Sequence, residues 1–174
     1  MNPKRVFFYV LVVLASFLLQ NGIFAASSLI DTTPNIMLII TFSFAFIRGE
    51  KEGMLIGFFS GLLLDLFFSD VIGFQALVYL LIGYFNGLLG KFFYVEFINM
   101  PVILCLLSDL IYGVYIYLFD FLVRGRTGFP AYFTGVIVPE LAYTVVLTLV
   151  LYRLLRHLND KVSVWEKRSA KEFV

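Results

Sequence analysis

The sequence predicts an all-α polytopic membrane protein with six transmembrane helices, and three observations carry that prediction. Hydrophobic residues make up 61% of the 174 positions and charged residues only 14%, too little charge to cover the surface of a soluble domain. The apolar residues fall into six runs divided by short polar or charged breaks. Basic residues are segregated: with the amino terminus inside, Lys4, Arg5, Arg48, Lys51, Lys91 and the six after Tyr152 share one side, eleven of thirteen. Only Arg124 and Arg126 fall on the other. That asymmetry places both termini in the cytoplasm.

The first run, residues 6–26, follows Lys4 and Arg5. Ala25-Ala26-Ser27 resembles a signal-cleavage site, but the run exceeds the roughly 7–15 residues of a signal h-region. An uncleaved first span is expected. The second run, 34–47, is expected to start at a Thr33 cap with Pro34 in the first helical position. It stops at the charged turn Arg48-Gly-Glu-Lys-Glu-Gly53, and the third run, 54–68, returns. About 15 helical residues rise only about 22 Å, less than the roughly 30 Å hydrocarbon core. Both short spans are therefore expected to borrow flanking residues and pack against longer neighbours.

The fourth run, 71–89, ends at Lys91 and an interfacial belt of Phe92, Phe93 and Tyr94. The fifth, 98–123, and the sixth, 130–152, flank a loop carrying Arg124 and Arg126. Residues 1–152 thus form one membrane domain and 153–174 a basic cytoplasmic tail. Leu155, Leu158, Val162 and Trp165 recur there at helical spacing among basic residues. Two readings stay open for the tail: an amphipathic helix on the inner leaflet or a partner, and a frayed solvated end.

Three carboxylates lie inside apolar stretches: Asp65 in GLLLDLFF, Asp109 in LLSDLIYG and Glu140 in IVPELAYT. Counted from the span ends, each is roughly 15–18 Å deep, and no Lys or Arg lies at that level. Each should face the bundle interior. One reading has protonated acids bonded to Ser108, Tyr79, Tyr84, Gln75 or Asn86; the other is a proton relay or polar ligand site. Pro139, directly before Glu140, is expected to free the carbonyl near residue 135 and kink the sixth span. That kink lines a cavity or is simply a bend.

Gly53, Gly57 and Gly61 recur every four residues and Asp65 continues the spacing; Gly83 and Gly87 repeat it on the fourth span. Such small-residue faces allow backbones to touch, here more naturally within the chain than between chains. Cys105 reads as a packed thiol and His157 as a solvated residue at a polar helix end. No zinc-spaced cluster, nucleophile elbow or phosphate loop is found in the sequence. No enzymatic activity, cofactor or nucleic-acid partner is expected.

Residues 34–93 resemble the MreD family of rod shape-determining membrane proteins. The resemblance rests on a Pro-led short span, the charged turn, a Gly-rich span ending in LLLD, and Gly73-Phe-Gln-Ala76-Leu77-Val-Tyr79-Leu80-Leu-Ile-Gly83-Tyr84. It implies a non-enzymatic scaffold in the bacterial inner membrane, part of the machinery that inserts peptidoglycan during elongation. MreC is the implied direct partner; MreB, RodA and a penicillin-binding transpeptidase are reached through the complex. Asp65 is the family-matching acid, in a fold-holding or a partner-binding role. The family's helical core also resembles the substrate-binding subunits of energy-coupling-factor vitamin transporters, which supplies an alternative reading of this chain.

Overall fold

A computed structural model describes residues 3–24, 33–69, 71–92, 99–122 and 128–171. The Ala25-Ala26-Ser27 step, Phe93, Tyr94, Arg124 and Arg126 lie outside the described residues. No strand occurs among the described residues.

Among the described residues six helical rods follow one another. Helix α1 (Pro3–Leu18) runs into a π turn (Leu19–Phe24). Next come α2 (Ile36–Arg48), α3 (Glu50–Phe68) and α4 (Phe74–Phe92). Helix α5 (Asn99–Ile116) again ends in a π turn (Tyr117–Leu122). The last rod starts as α6 (Phe129–Tyr132), passes a π turn (Phe133–Ile137) and continues as α7 (Val138–Lys171).

Helix α2 is the axis of the bundle. Every residue from Ile36 to Phe46 is buried, as expected for a helix apolar on all sides. Met37, Leu38, Ile39, Phe42 and Phe44 have no exposed surface. Helices α3 and α4 pack on it most closely, with α7, α5 and α1 completing the wrap. The expected Thr33 cap is corrected by the structure. Asn35 takes that position, its Oδ1 accepting from Leu38 N at 3.1 Å, so α2 starts two residues beyond Pro34. Asn is at least as good a cap as Thr, and Asn35 also bonds Tyr79 on α4 and Thr144 on α7.

The stretches Lys4–Gly22, Met100–Phe119 and Phe129–Trp165 are long and apolar enough to cross a membrane. Helix α2 is apolar but shorter. In α3 and α4, glycines and inward-turned polar residues dilute the hydropathy that 19-residue helices would otherwise show. Leu107, Ile111, Val146 and Val150 are more than half exposed. In water such a contiguous apolar face would be a liability; against lipid it is the ordinary outer surface.

Pro139 is absorbed without a break. Val138 N donates to Phe133 O across the preceding π turn, the wider register that lets a helix pass a proline. Residues 153–171 continue α7 in the same rod. The inward side of that extension is Leu155 and Asn159, both buried, while Trp165 is exposed.

Candidate functional site at the hairpin and bundle centre

Two features converge on α2: the α3–α4 hairpin and a set of buried polar side chains.

The hairpin depends on missing side chains. A Cβ on Gly57 would collide with the Tyr79 carbonyl, and one on Gly61 would lie 2.5 Å from Gln75 O and from Ala76 Cα. Gly53 and Gly83 face each other's backbone, and Gly87 faces that of Glu50. These five glycines let two helix backbones touch along about three turns, from Gly61 beside Ala76 to Gly87 beside Glu50. Contacts this close involve main-chain atoms, which cannot rotate aside.

Asp65 closes the hairpin. It lies three residues before the end of α3 and is 1% exposed. Its Oδ2 accepts from Gly73 N and Ala76 N, and its Oδ1 from Gln75 N, each at 2.9 Å. These are amides at the start of α4, which no carbonyl of the helix can reach, and the helix dipole favours a carboxylate there. Gly73 turns the chain at φ 101°, a conformation that suits glycine. The side-chain partners expected for Asp65 are thus replaced by backbone donors. A depth shared with Asp109 is also corrected: Asp65 belongs to the turn, where Tyr115 bonds Phe74 O at 3.1 Å. Asp109 is six residues earlier on α5, about 9 Å along the axis.

The polar centre is organised by Asn35. Its Oδ1 also accepts from the Tyr79 hydroxyl at 2.6 Å, and its N–H donates to Thr144 Oγ1 at 3.1 Å. Thr144 donates in turn to Glu140 O at 2.7 Å. Thr148 donates to Thr144 O at 2.7 Å, and its hydroxyl lies 3.1 Å from Cys105 Sγ. Tyr112 stacks edge-on against Tyr79 at 5.4 Å and donates to Gln75 Oε1 at 3.1 Å. Asn86 donates to Ser108 Oγ at 2.8 Å, tying α4 to α5. Sequence reasoning missed Asn35, Thr144 and Thr148; Asn35 directly after Pro34, and two Thr four apart in an apolar run, were the available signals.

Asp109 lies at the edge of this network. It is 2% exposed, beside Thr144 and Glu140, yet neither carboxyl oxygen has a hydrogen-bond partner among the described residues. A buried polar group left unbonded costs about 1–3 kcal/mol. Asp109→Leu, which keeps the branch at Cγ and removes the polar oxygens, is expected to leave thermal unfolding in detergent unchanged or raise its midpoint. A loss of more than about 1 kcal/mol would show that the carboxyl is bonded after all.

One end of the bundle is ionic. Gly49, at φ 96°, joins α2 to α3. Arg48 donates to Asn159 Oδ1 and Ser163 Oγ, both at 2.7 Å, pinning the α7 extension. Glu52 accepts from Arg5 at 3.2 Å and from the Tyr9 hydroxyl, and lies 3.9 Å from Arg48. Lys91 bonds Glu50 at 2.7 Å, which holds the Glu50 carboxyl below its ordinary pKa. No group of three or more metal-ligating side chains occurs among the described residues.

The family model for the rod shape-determining protein MreD matches residues 1–162. The chain belongs to the MreD family. MreD proteins are structural, shape-determining membrane proteins rather than known enzymes, and the charged turn, the glycine-packed hairpin and Asp65 all lie inside the matched region. No curated protein and no solved structure matches the chain.

Proposed function

We propose that this chain is a non-catalytic scaffold of the machinery that elongates the bacterial cell wall. It spans the inner membrane six times with both termini in the cytoplasm, residues 1–152 forming the membrane domain and 153–174 the basic tail. MreC is its direct partner; MreB, RodA and a penicillin-binding transpeptidase join through the complex. The observation that carries this reading is the MreD family match over residues 1–162. The six rods and the eleven-to-two division of basic residues support the topology.

In this reading Gly53, Gly57, Gly61, Asp65, Gly83 and Gly87 hold the hairpin, and partner contacts fall to the outward faces of other helices. Asp109, Pro139 and Glu140 belong to the polar side of α5 and α7. A vitamin-binding subunit would need a vacant centre, whereas α2 fills this one with eleven consecutive buried residues.

Affinity purification of the tagged chain from its native membrane, in mild detergent with mass spectrometry, tests the proposal. Recovery of MreC and other elongation proteins is expected. Recovery of an ATPase pair with a coupling subunit, or of a bound vitamin, would overturn it.

A further inference from the structure

Helices α5 and α7 face each other along an antiparallel row of polar side chains. Cys105 Sγ lies 3.1 Å from the Thr148 hydroxyl, and Asp109, one turn on, meets Thr144. Gly113 faces Ile137 at the next level, which places Glu140 about one turn from Asp109. Asn35 closes the row from α2, bonding Thr144 and the Glu140 carboxyl.

This row holds more acceptors than donors. A hydroxyl has a single proton to give, and those around Asp109 are directed elsewhere. Thr144 donates to Glu140 O and Thr148 to Thr144 O, both at 2.7 Å. Tyr79 donates to Asn35 Oδ1 and Tyr112 to Gln75 Oε1. Asp109, 2% exposed, is left with neither carboxyl oxygen bonded among the described residues. The main chain adds another acceptor. Val138 N reaches Phe133 O, and Thr134 O, next in that register, meets no N–H because residue 139 is proline. Positive side chains are remote: residues 92–123 and 127–152 contain no Lys or Arg. The nearest basic residue on either helix is therefore at least 13 positions from the acid, or about 20 Å.

We propose that Asp109, Thr144 and Glu140 bind one monovalent cation of sodium size between α5 and α7. Asp109 and Glu140 supply the charge, and Thr144 Oγ1 keeps one lone pair beyond the one that Asn35 N occupies. A proton satisfies one acceptor, whereas a metal cation is met by several oxygens together. A divalent ion is poorly served here. Calcium takes six to eight oxygens and magnesium a near-ideal octahedron, and no group of three or more His, Cys, Asp and Glu occurs among the described residues. Glu140 is half-buried, within two turns of exposed Thr134 and Gly135, so the ion enters from the end opposite Arg48. Bound there, it offsets the cost of the buried carboxyl and ties α5 to the start of the last rod.

The test uses the full chain in mild detergent at alkaline pH, in sodium or choline chloride of equal ionic strength. Thermal unfolding reads stabilisation, and equilibrium dialysis with radioactive sodium reads stoichiometry. Sodium is expected to raise the midpoint over choline, with one ion held per chain and potassium less effective. Asp109→Leu should lose both responses while remaining, in choline, at least as stable as the unaltered chain. Glu140→Gln should weaken both, and Asp160→Asn, at an exposed acid on the α7 extension, should keep both. Protons compete for the same carboxyls, so more sodium is needed as the pH falls. The other titratable groups around the pair are Tyr79 on α4, Cys105 and Tyr112 on α5, and Tyr132 on α6. None of these readouts depends on which protein partner the chain binds. Equal midpoints in sodium and choline at every pH would overturn the proposal, as would undiminished sodium binding by Asp109→Leu. So would a midpoint that follows pH alone, which assigns the pair to a proton, or a stronger response to calcium or magnesium.

Discussion

Gly57→Leu is expected to destabilise the fold by at least ~3 kcal/mol and to leave little extractable folded protein. The reason is the identity of the opposing atoms. A side chain at position 57 meets the carbonyl of Tyr79, and Tyr79 is fully buried with its hydroxyl fixed on Asn35. Overpacking against a flexible side chain can relax through a rotamer change; here α4 itself must shift. That shift would pull Tyr79 off Asn35, which caps α2 and holds Thr144. The damage therefore spreads from the hairpin to the polar centre. Gly57→Ala should show the same defect at reduced size, about 1–3 kcal/mol. Gly135→Ala, where a Cβ meets nothing within 4 Å, should leave stability unchanged within about 1 kcal/mol. The measurement is the thermal midpoint in detergent of the three variants. Equal midpoints for Gly57→Leu and the unaltered chain would show that α3 and α4 do not touch at this level.

The contrast between those glycines shows what was legible in the sequence. The four-residue repeat of Gly53, Gly57 and Gly61 marked one helix face, because periodicity is a property of the chain alone. Which backbone that face meets depends on tertiary placement, and so do the partners of a polar side chain. Asp65 looked like an intramembrane acid in search of a side chain. Only the turn at Gly73 brings three main-chain amides to it. The α2 cap moved from Thr33 to Asn35 for a related reason: Asn35 satisfies Leu38, Tyr79 and Thr144 together, and two of those partners are distant in sequence. Pro139 announced a disturbed ladder, but the π turn that absorbs it has no sequence signature of its own. The α7 extension was ambiguous because its buried face is narrow. Arg48, more than a hundred residues away, is what holds Asn159 and Ser163.

Asp65→Ala is expected to cost roughly 3–5 kcal/mol, since it leaves three amides at the start of α4 without an acceptor. Asp65→Asn should fall between Ala and the unaltered chain. Its one carbonyl oxygen accepts from part of the set, while its NH₂ group faces donors and carries no charge to meet the helix dipole. Gly73→Ala probes the same turn from the backbone, where a side chain at φ 101° costs about 1–2 kcal/mol. Thermal unfolding in detergent ranks the variants, and retention of MreC, the partner proposed above, is measured per folded molecule on the same samples. If Asp65 works by closing the hairpin, partner retention falls only as far as folded protein does, and Gly73→Ala reproduces a milder form of the loss. If Asp65→Ala keeps its unfolding midpoint yet releases MreC, the carboxylate reaches the partner directly. The three amides of α4 would then have to find another acceptor, and among the described residues Gln75 is already engaged with Ser69 and Tyr112.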